Sequence, residues 1–248
     1  METKDAVGYT LILAGLALAL YGFFNVEAKL TNLGIAGMFL GLVVLTLKSS
    51  DYVKRESVIA VMEPYRSVFS NFVENLHLDG NAVFIPPYEN LPRGGLFVPL
   101  HEEFELDLAR LDEETVFLTD TPNDRAMGLF LGPFGDSLVK KFEEHFEGSL
   151  DGAGVDAVES VAGSVLRYLE LAEKVYVEER KGKFKVSVRP TFECSPSNCE
   201  KIPCPVCASV LLALAKGTGQ ILNVESLERK ERDVEVVLKK LGGAEEWM

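Results

Sequence analysis

Apolar and polar positions divide the chain near residue 48. Ahead of that point stand two long apolar runs. Ala6 to Phe24 holds nineteen residues without a charge, which as a helix span roughly 28 Å, about the thickness of a bilayer's hydrocarbon core. Leu30 to Leu47 repeats the pattern over eighteen residues, and the link Asn25 to Lys29 is short enough to force an antiparallel hairpin. Gly8, Gly15 and Gly22 recur at heptad spacing in the first run. Gly34, Gly37 and Gly41 follow at i, i+3 and i+7 in the second, with a GxxxG at Gly37 and Gly41. Each helix thus offers a smooth face for close backbone approach, so the two are expected to pack on each other. The lipid bilayer is the expected partner of residues 6–47, and residues 1–48 form the expected transmembrane hairpin.

Basic flanks orient such a hairpin. Lys4 precedes the first run and Lys48, Lys54 and Arg55 follow the second, whereas Lys29 alone lies in the link. The expectation is a two-pass protein of the cell membrane with both termini cytoplasmic. Two other readings use the same residues. Ala17-Leu18-Ala19 after an apolar run suggests a cleaved signal peptide, but Met1 to Asp5 carries Glu and Asp where a positive segment is needed. A buried core hairpin of a soluble protein fits less well, because uncharged stretches of this length are uncommon in soluble helices.

Shorter periods follow, and they predict an α+β soluble domain after the transmembrane hairpin. Tyr65, Val68, Phe69, Phe72, Val73 and Leu76 make an apolar helical stripe with Pro64 at its first turn, after a separate helix over Ser50 to Met62. Val83 to Ile85, Leu96 to Val98, Val116 to Leu118 and Leu129 to Leu131 read as strands bounded by Pro, Gly, Asn or Asp. Asp136 starts a helix to about Phe146, and Gly148, Gly152 and Gly154 form a candidate linker dividing region 49–148 from region 149–248. A helix through Val155 and Leu169 leads into a hairpin, Val175 to Glu178 and Phe184 to Val188, turning at Lys181-Gly182. A helix Pro205 to Lys216 comes next, then a strand Ile221 to Val224, and Asp233 to Leu241 fits a strand or a helix.

The four early strands contain an internal echo. Val83-Phe84 recurs as Val116-Phe117, Gly95-Leu96-Phe97 recurs as Gly128-Leu129-Phe130, and Asn90 matches Asn123, all at an offset of 33 residues. Two copies of one hairpin building a single sheet explain this, and so does chance in a chain rich in Leu, Val and Phe. Their loops hold Tyr88, Glu89 and Arg93 in one unit and Asp120, Asp124 and Arg125 in the other. Such residues bind ligands or form ordinary solvated turns.

Charge narrows the partners. The basic and acidic residues of the first 48 cancel, so the whole net charge of −13 lies in the remainder. That disfavours a grip on phosphate backbones, and no nucleic-acid partner is expected. The chemically suggestive feature is a run of four cysteines, Cys194, Cys199, Cys204 and Cys207, spaced C-x4-C-x4-C-x2-C between a strand and a helix. Four thiolates on one loop suit a tetrahedral zinc ion or an iron-sulfur cluster, although the spacing matches neither common framework. Cys204-Pro205-Val206-Cys207 at a helix start also suggests redox chemistry, since helix N-termini favour the thiolate. Glutaredoxins look similar here, but no proline follows Pro205 and only 41 residues follow Cys207. Buried thiols or local disulfides are the purely structural reading. His77, His101 and His145 are isolated, and no HExxH, GxSxG or P-loop pattern is present.

The two-helix hairpin, with Val83-Phe84-Ile85-Pro86, Leu96-Phe97-Val98-Pro99, Gly128-Leu129-Phe130-Leu131-Gly132 and the late strand-loop-helix, resembles an uncharacterised archaeal family of membrane-anchored proteins. That resemblance implies architecture and no activity. Val165 to Glu225 is similar to vinyl-reductase-type domains, which implies a small-ligand or sensory module. The functional expectation is a membrane-anchored binding or interaction module with an unknown protein or small-molecule partner, in preference to an enzyme acting through Asp, Glu and His of the hairpin loops. The alternative is a metal-binding or redox-sensing module on the four cysteines.

Overall fold

The computed structural model describes residues 2–46, 55–192 and 198–248, and the chain divides into two compact units, the first ending at Lys54 and the second running from Arg55 to Met248. In the first unit α1 (Glu2–Phe24) and α2 (Ala28–Thr46) form the expected antiparallel hairpin. Its corner is tight, with the Glu27 N–H donating to the Gly22 carbonyl at 2.8 Å. The glycines are there because the backbones touch. A Cβ on Gly15 would lie 2.6 Å from the Met38 nitrogen, one on Gly34 would strike the Ala19 backbone, and one on Gly41 would lie 2.9 Å from the Gly8 carbonyl. Packing between the helices therefore consumes their small residues. The large apolar side chains, among them Leu13, Phe23, Leu33 and Phe39, point outward.

The second unit is an α+β domain. Its described residues form one eight-stranded sheet, antiparallel throughout, in the order β3-β4-β2-β1-β7-β8-β6-β5. The strands are β1 (Val83–Ile85), β2 (Gly95–Pro99), β3 (Phe117–Leu118), β4 (Gly128–Leu131), β5 (Ala172–Arg180), β6 (Lys183–Pro190), β7 (Gln220–Lys230) and β8 (Asp233–Gly243). Against one face lie α4 (Asp136–Phe146), α5 (Val155–Tyr168) and α6 (Pro205–Thr218). α6 is apolar all round and has eleven of its fourteen residues buried, which makes it the centre of this layer. Phe84, Leu96, Val98 and Leu129 meet it from the first four strands, and Val177, Val186, Val236 and Leu238 from the others. β5, β6 and β8 alternate buried and open positions, as strands with one wet face must.

β1, β2 and β4 are buried on both faces. Val83, Ile85, Phe97 and Phe130 point away from the helices into a second cluster closed by Leu106, Leu108 and Leu111. Here the internal echo acquires geometry. β1 pairs with β2 in the register Val83↔Phe97, and β3 pairs with β4 in the register Phe117↔Leu129. Shifting the first register by the 33-residue offset reproduces the second. β2 and β4 then pair with Phe97 opposite Phe130, its own counterpart in the repeat. The two hairpins are thus related by a local two-fold axis through that pair, as two copies of one hairpin building one sheet would be.

Three expectations change. α3 (Arg55–Asn75) is one helix with Pro64 inside it, not a helix beginning at Pro64 after a separate one. Proline at an exposed interior position removes one backbone hydrogen bond but does not end a helix held by tertiary contacts at its far end. β7 extends to Lys230 and β8 starts at Asp233, so both belong to one long hairpin turning at Glu231, whose φ is +57°. Gly148 to Gly154 is fastened: Leu150 is fully buried, and the Gly154 N–H donates to the Gly217 carbonyl at 2.9 Å.

Candidate functional site

The cysteine loop approaches α6 from the end of β6. Cys204 is the N-cap residue of α6 and Pro205 follows it, where the fixed φ of proline suits a first helical turn. Cys207 and Cys199 are buried and Cys204 is half-buried, all in the apolar cluster around the start of α6. The segment before α6 is tied to its surroundings: the Asn198 amide donates to Ser70 Oγ at 3.0 Å, Lys201 Nζ donates to the Leu78 carbonyl, and the Ala82 N–H donates to the Glu200 carbonyl at 2.9 Å. Cys194, the first member of the expected metal set, lies outside the described residues. Among the described residues no group of three or more His, Cys, Asp or Glu side chains is placed to hold a metal ion.

The two hairpin loops are not brought together. Because β2 and β4 run antiparallel, the loop after β1 lies at one end of the sheet and the loop after β3 at the other. In the first loop, Tyr88 is a structural pin. Its hydroxyl donates to the Leu108 carbonyl at 2.7 Å, with the Leu111 carbonyl at 3.2 Å, and fastens the loop to the linker that crosses the outer face. Burial, with the nearby charges of Asp112 and Asp107, pushes this phenol far above its ordinary range, so it stays protonated. Arg93 bridges Glu113 at 2.9 Å and Asp136 at 3.6 Å.

The second loop borders an open cleft of about 570 Å³ lined by His101, Glu103, Pro122, Asn123, Asp124 and Arg125. Asn123 builds one wall: its Oδ1 accepts from the Arg125 N–H at 3.0 Å, and its amide donates to Glu105 Oε2 at 2.9 Å. Arg125 pairs with Glu103 at 3.4 Å, and its carbonyl accepts from the Glu105 N–H at 3.0 Å. Both signs of charge and an imidazole line the cleft, a composition suited to a polar small molecule. Asp124 and Arg125 were legible as loop residues. The approach of His101 and Glu103 was not, because it depends on the linker after β2 doubling back against the loop after β3, which leaves no local mark. His77 and His145 lie apart from the cleft, at the end of α3 and in the last turn of α4.

A hairpin of two long apolar helices followed by an antiparallel α+β unit is the class of protein these features define. A family profile described as "Domain of unknown function (DUF7982)" matches residues 3–239, and the chain belongs to that family. No curated protein and no solved structure matches the chain.

Proposed function

We propose that this protein is anchored in the cell membrane by α1 and α2, with both termini cytoplasmic, and that its α+β unit is a binding module for a protein or small-molecule partner. The observation that carries the anchor is the exposure of the two helices. Of the apolar windows in Asp5–Phe24 and Ala28–Thr46, only 17% and 11% of residues are buried, whereas the core helix of a soluble protein is mostly buried. Apolar surface left bare over two helices of bilayer length is accommodated by lipid. For the binding role, the support is the polar cleft beside Arg125. The archaeal resemblance and the vinyl-reductase-type resemblance over Val165 to Glu225 belong to the same proposal.

Sodium carbonate extraction of membranes carrying the intact chain tests the anchor, and protease access to tags at either end tests the orientation. Release into the carbonate supernatant, or tags reached only from outside the cell, would overturn it. A metabolite-mixture thermal-shift screen of the detergent-solubilised protein tests the binding role; the Arg125→Ala variant should lose the shift that the wild type shows.

A second reading has one observation in its favour: Cys199, Cys204 and Cys207 gather in a single cluster at the start of α6. A metal or redox module would need Cys194 to complete it. Elemental analysis of the purified protein with a visible absorption scan decides this, for zinc or iron near one equivalent supports it and neither removes it.

A further inference from the structure

The two edges of the sheet are unlike. β3 spans two residues, Phe117–Leu118, whereas β5 runs for nine, Ala172–Arg180, and pairs with β6 alone among the described strands. A strand edge of that length carries a row of backbone groups that invite another strand. Two of those groups are taken by side chains of α5. Glu159 Oε2 accepts from the Val177 N–H at 2.8 Å, and Arg167 Nε donates to the Glu173 carbonyl at 3.4 Å. The spacings match. From Glu159 to Arg167 the helix advances about 12 Å, and from Glu173 to Val177 the strand advances about 13 Å. α5 therefore runs antiparallel to β5 and sets one charged side chain at each end of the stretch 173–177. Both contacts carry a charge on the side-chain partner, which makes them stronger than bonds between neutral groups.

We propose that Glu159 and Arg167 guard the β5 edge, keeping it from pairing with the β5 edge of a second copy of this chain. The guarded groups are the ones such a pairing would use. In an antiparallel pair centred on Val175, the Val177 N–H of each copy meets the Glu173 carbonyl of the other. The side chains suit that register. Lys174 falls opposite Tyr176, a match of ammonium and ring already made within one chain, where Lys174 Nζ lies 5.6 Å from the Tyr176 ring centroid. Glu178 and Glu179 fall opposite Ala172 and Leu171, so these acidic residues meet no like charge. Moving the centre to Val177 would instead set Lys174 against Arg180. The pairing of β5 with β6 is regular from Lys174 to Arg180, and its one irregularity lies between Ala172 and Lys174. An edge that complements itself in this way needs a guard. An approaching copy must displace two charged side chains from their backbone partners before it gains a bond of its own.

The test follows amide hydrogen exchange residue by residue in the full chain, solubilised in excess detergent. Dilute and concentrated samples are compared at high salt, where the net charge of −13 is screened and does not hold copies apart. In the wild type the Val177 amide should exchange at a rate that does not change with concentration. Glu159→Ala should speed it about tenfold or more in dilute solution, the effect of losing a hydrogen bond to a charged group. Glu159→Gln keeps an acceptor oxygen and should stay close to the wild-type rate. In the variant carrying both Glu159→Ala and Arg167→Ala, the Val175 and Val177 amides should slow together as concentration rises, while those of α6 do not change. Trp247 fluorescence unchanged from wild type confirms that each variant is folded. A Val177 amide that exchanges in Glu159→Ala as it does in the wild type overturns the guard. So does a folded double variant without concentration-dependent protection at Val175 and Val177, and so does a wild type that already shows it.

Discussion

Glu143 joins three parts of the second unit through one carboxylate. It accepts from Lys216 of α6 at 2.8 Å, from the Leu150 N–H at 2.9 Å and from the Ser149 hydroxyl at 3.2 Å. Burial by itself would raise its pKa, but those hydrogen bonds and the Lys216 charge outweigh burial and hold it below the ordinary 4.5. A depressed folded-state pKa means that the stabilisation is complete above about pH 4.5 and is lost as pH falls through the folded value. Urea unfolding followed between pH 7 and pH 3 should therefore show a loss of stability at the acid end that Glu143→Gln reduces. At pH 7 the same variant should cost about 1–3 kcal/mol, the worth of hydrogen bonds to a charged group. Gly135 is a second single-residue dependence. Its φ is +98° and an added Cβ would lie 2.8 Å from the Ser209 nitrogen, so the start of α4 rests directly on α6. Gly135→Ala should lose about 2 kcal/mol or more in the same unfolding assay, from left-handed strain and displaced packing together.

At the scale of elements, the two hairpins of matching register make a quantitative claim. Phe97 and Phe130 are fully buried and face each other across β2 and β4. Each truncation to alanine should cost about 3–5 kcal/mol. The double variant should depart from additivity by about 0.5 kcal/mol or more, since the two rings share one cavity. Agreement of both single costs would mark the sites as equivalent; a large difference would show that the symmetry is confined to the backbone. α3 makes another claim. Pro64 sits exposed in its interior, so Pro64→Ala should raise helical circular dichroism and the unfolding midpoint, recovering part of the roughly 3 kcal/mol that an interior proline costs.

The whole molecule is two compact units, and on the proposed anchoring of the first in lipid they should unfold by different means. Trp247, the sole tryptophan, packs against the second cluster of the α+β unit with its indole donating to the Leu241 carbonyl at 2.9 Å. In mild detergent, urea should red-shift its emission in one cooperative transition while the helical signal of α1 and α2 persists, because urea does not reach backbone hydrogen bonds shielded by apolar side chains and detergent. A single transition reported alike by fluorescence and circular dichroism would contradict that division.

Local pattern alone determined much of this protein. The two apolar helices, the four short strands around Phe84, Phe97, Phe117 and Phe130, the helices after Asp136 and Pro205 and the 33-residue echo are all written in periodicity and in turn residues, whose physics acts over a few neighbours. Long-range pairing decided the rest. β7 and β8 carry Glu225, Glu228, Lys230 and Lys239 on a solvent-facing side, and their length as strands comes from pairing with β1 and β6, which lie far away in sequence. Likewise the cleft at Arg125 exists because the linker after β2 folds back on the loop after β3, and Pro64 lies within a helix because contacts at its far end outweigh one lost hydrogen bond. In each case burial and hydrogen bonding between distant segments prevailed over a local preference of the chain, and only the folded structure carries that information.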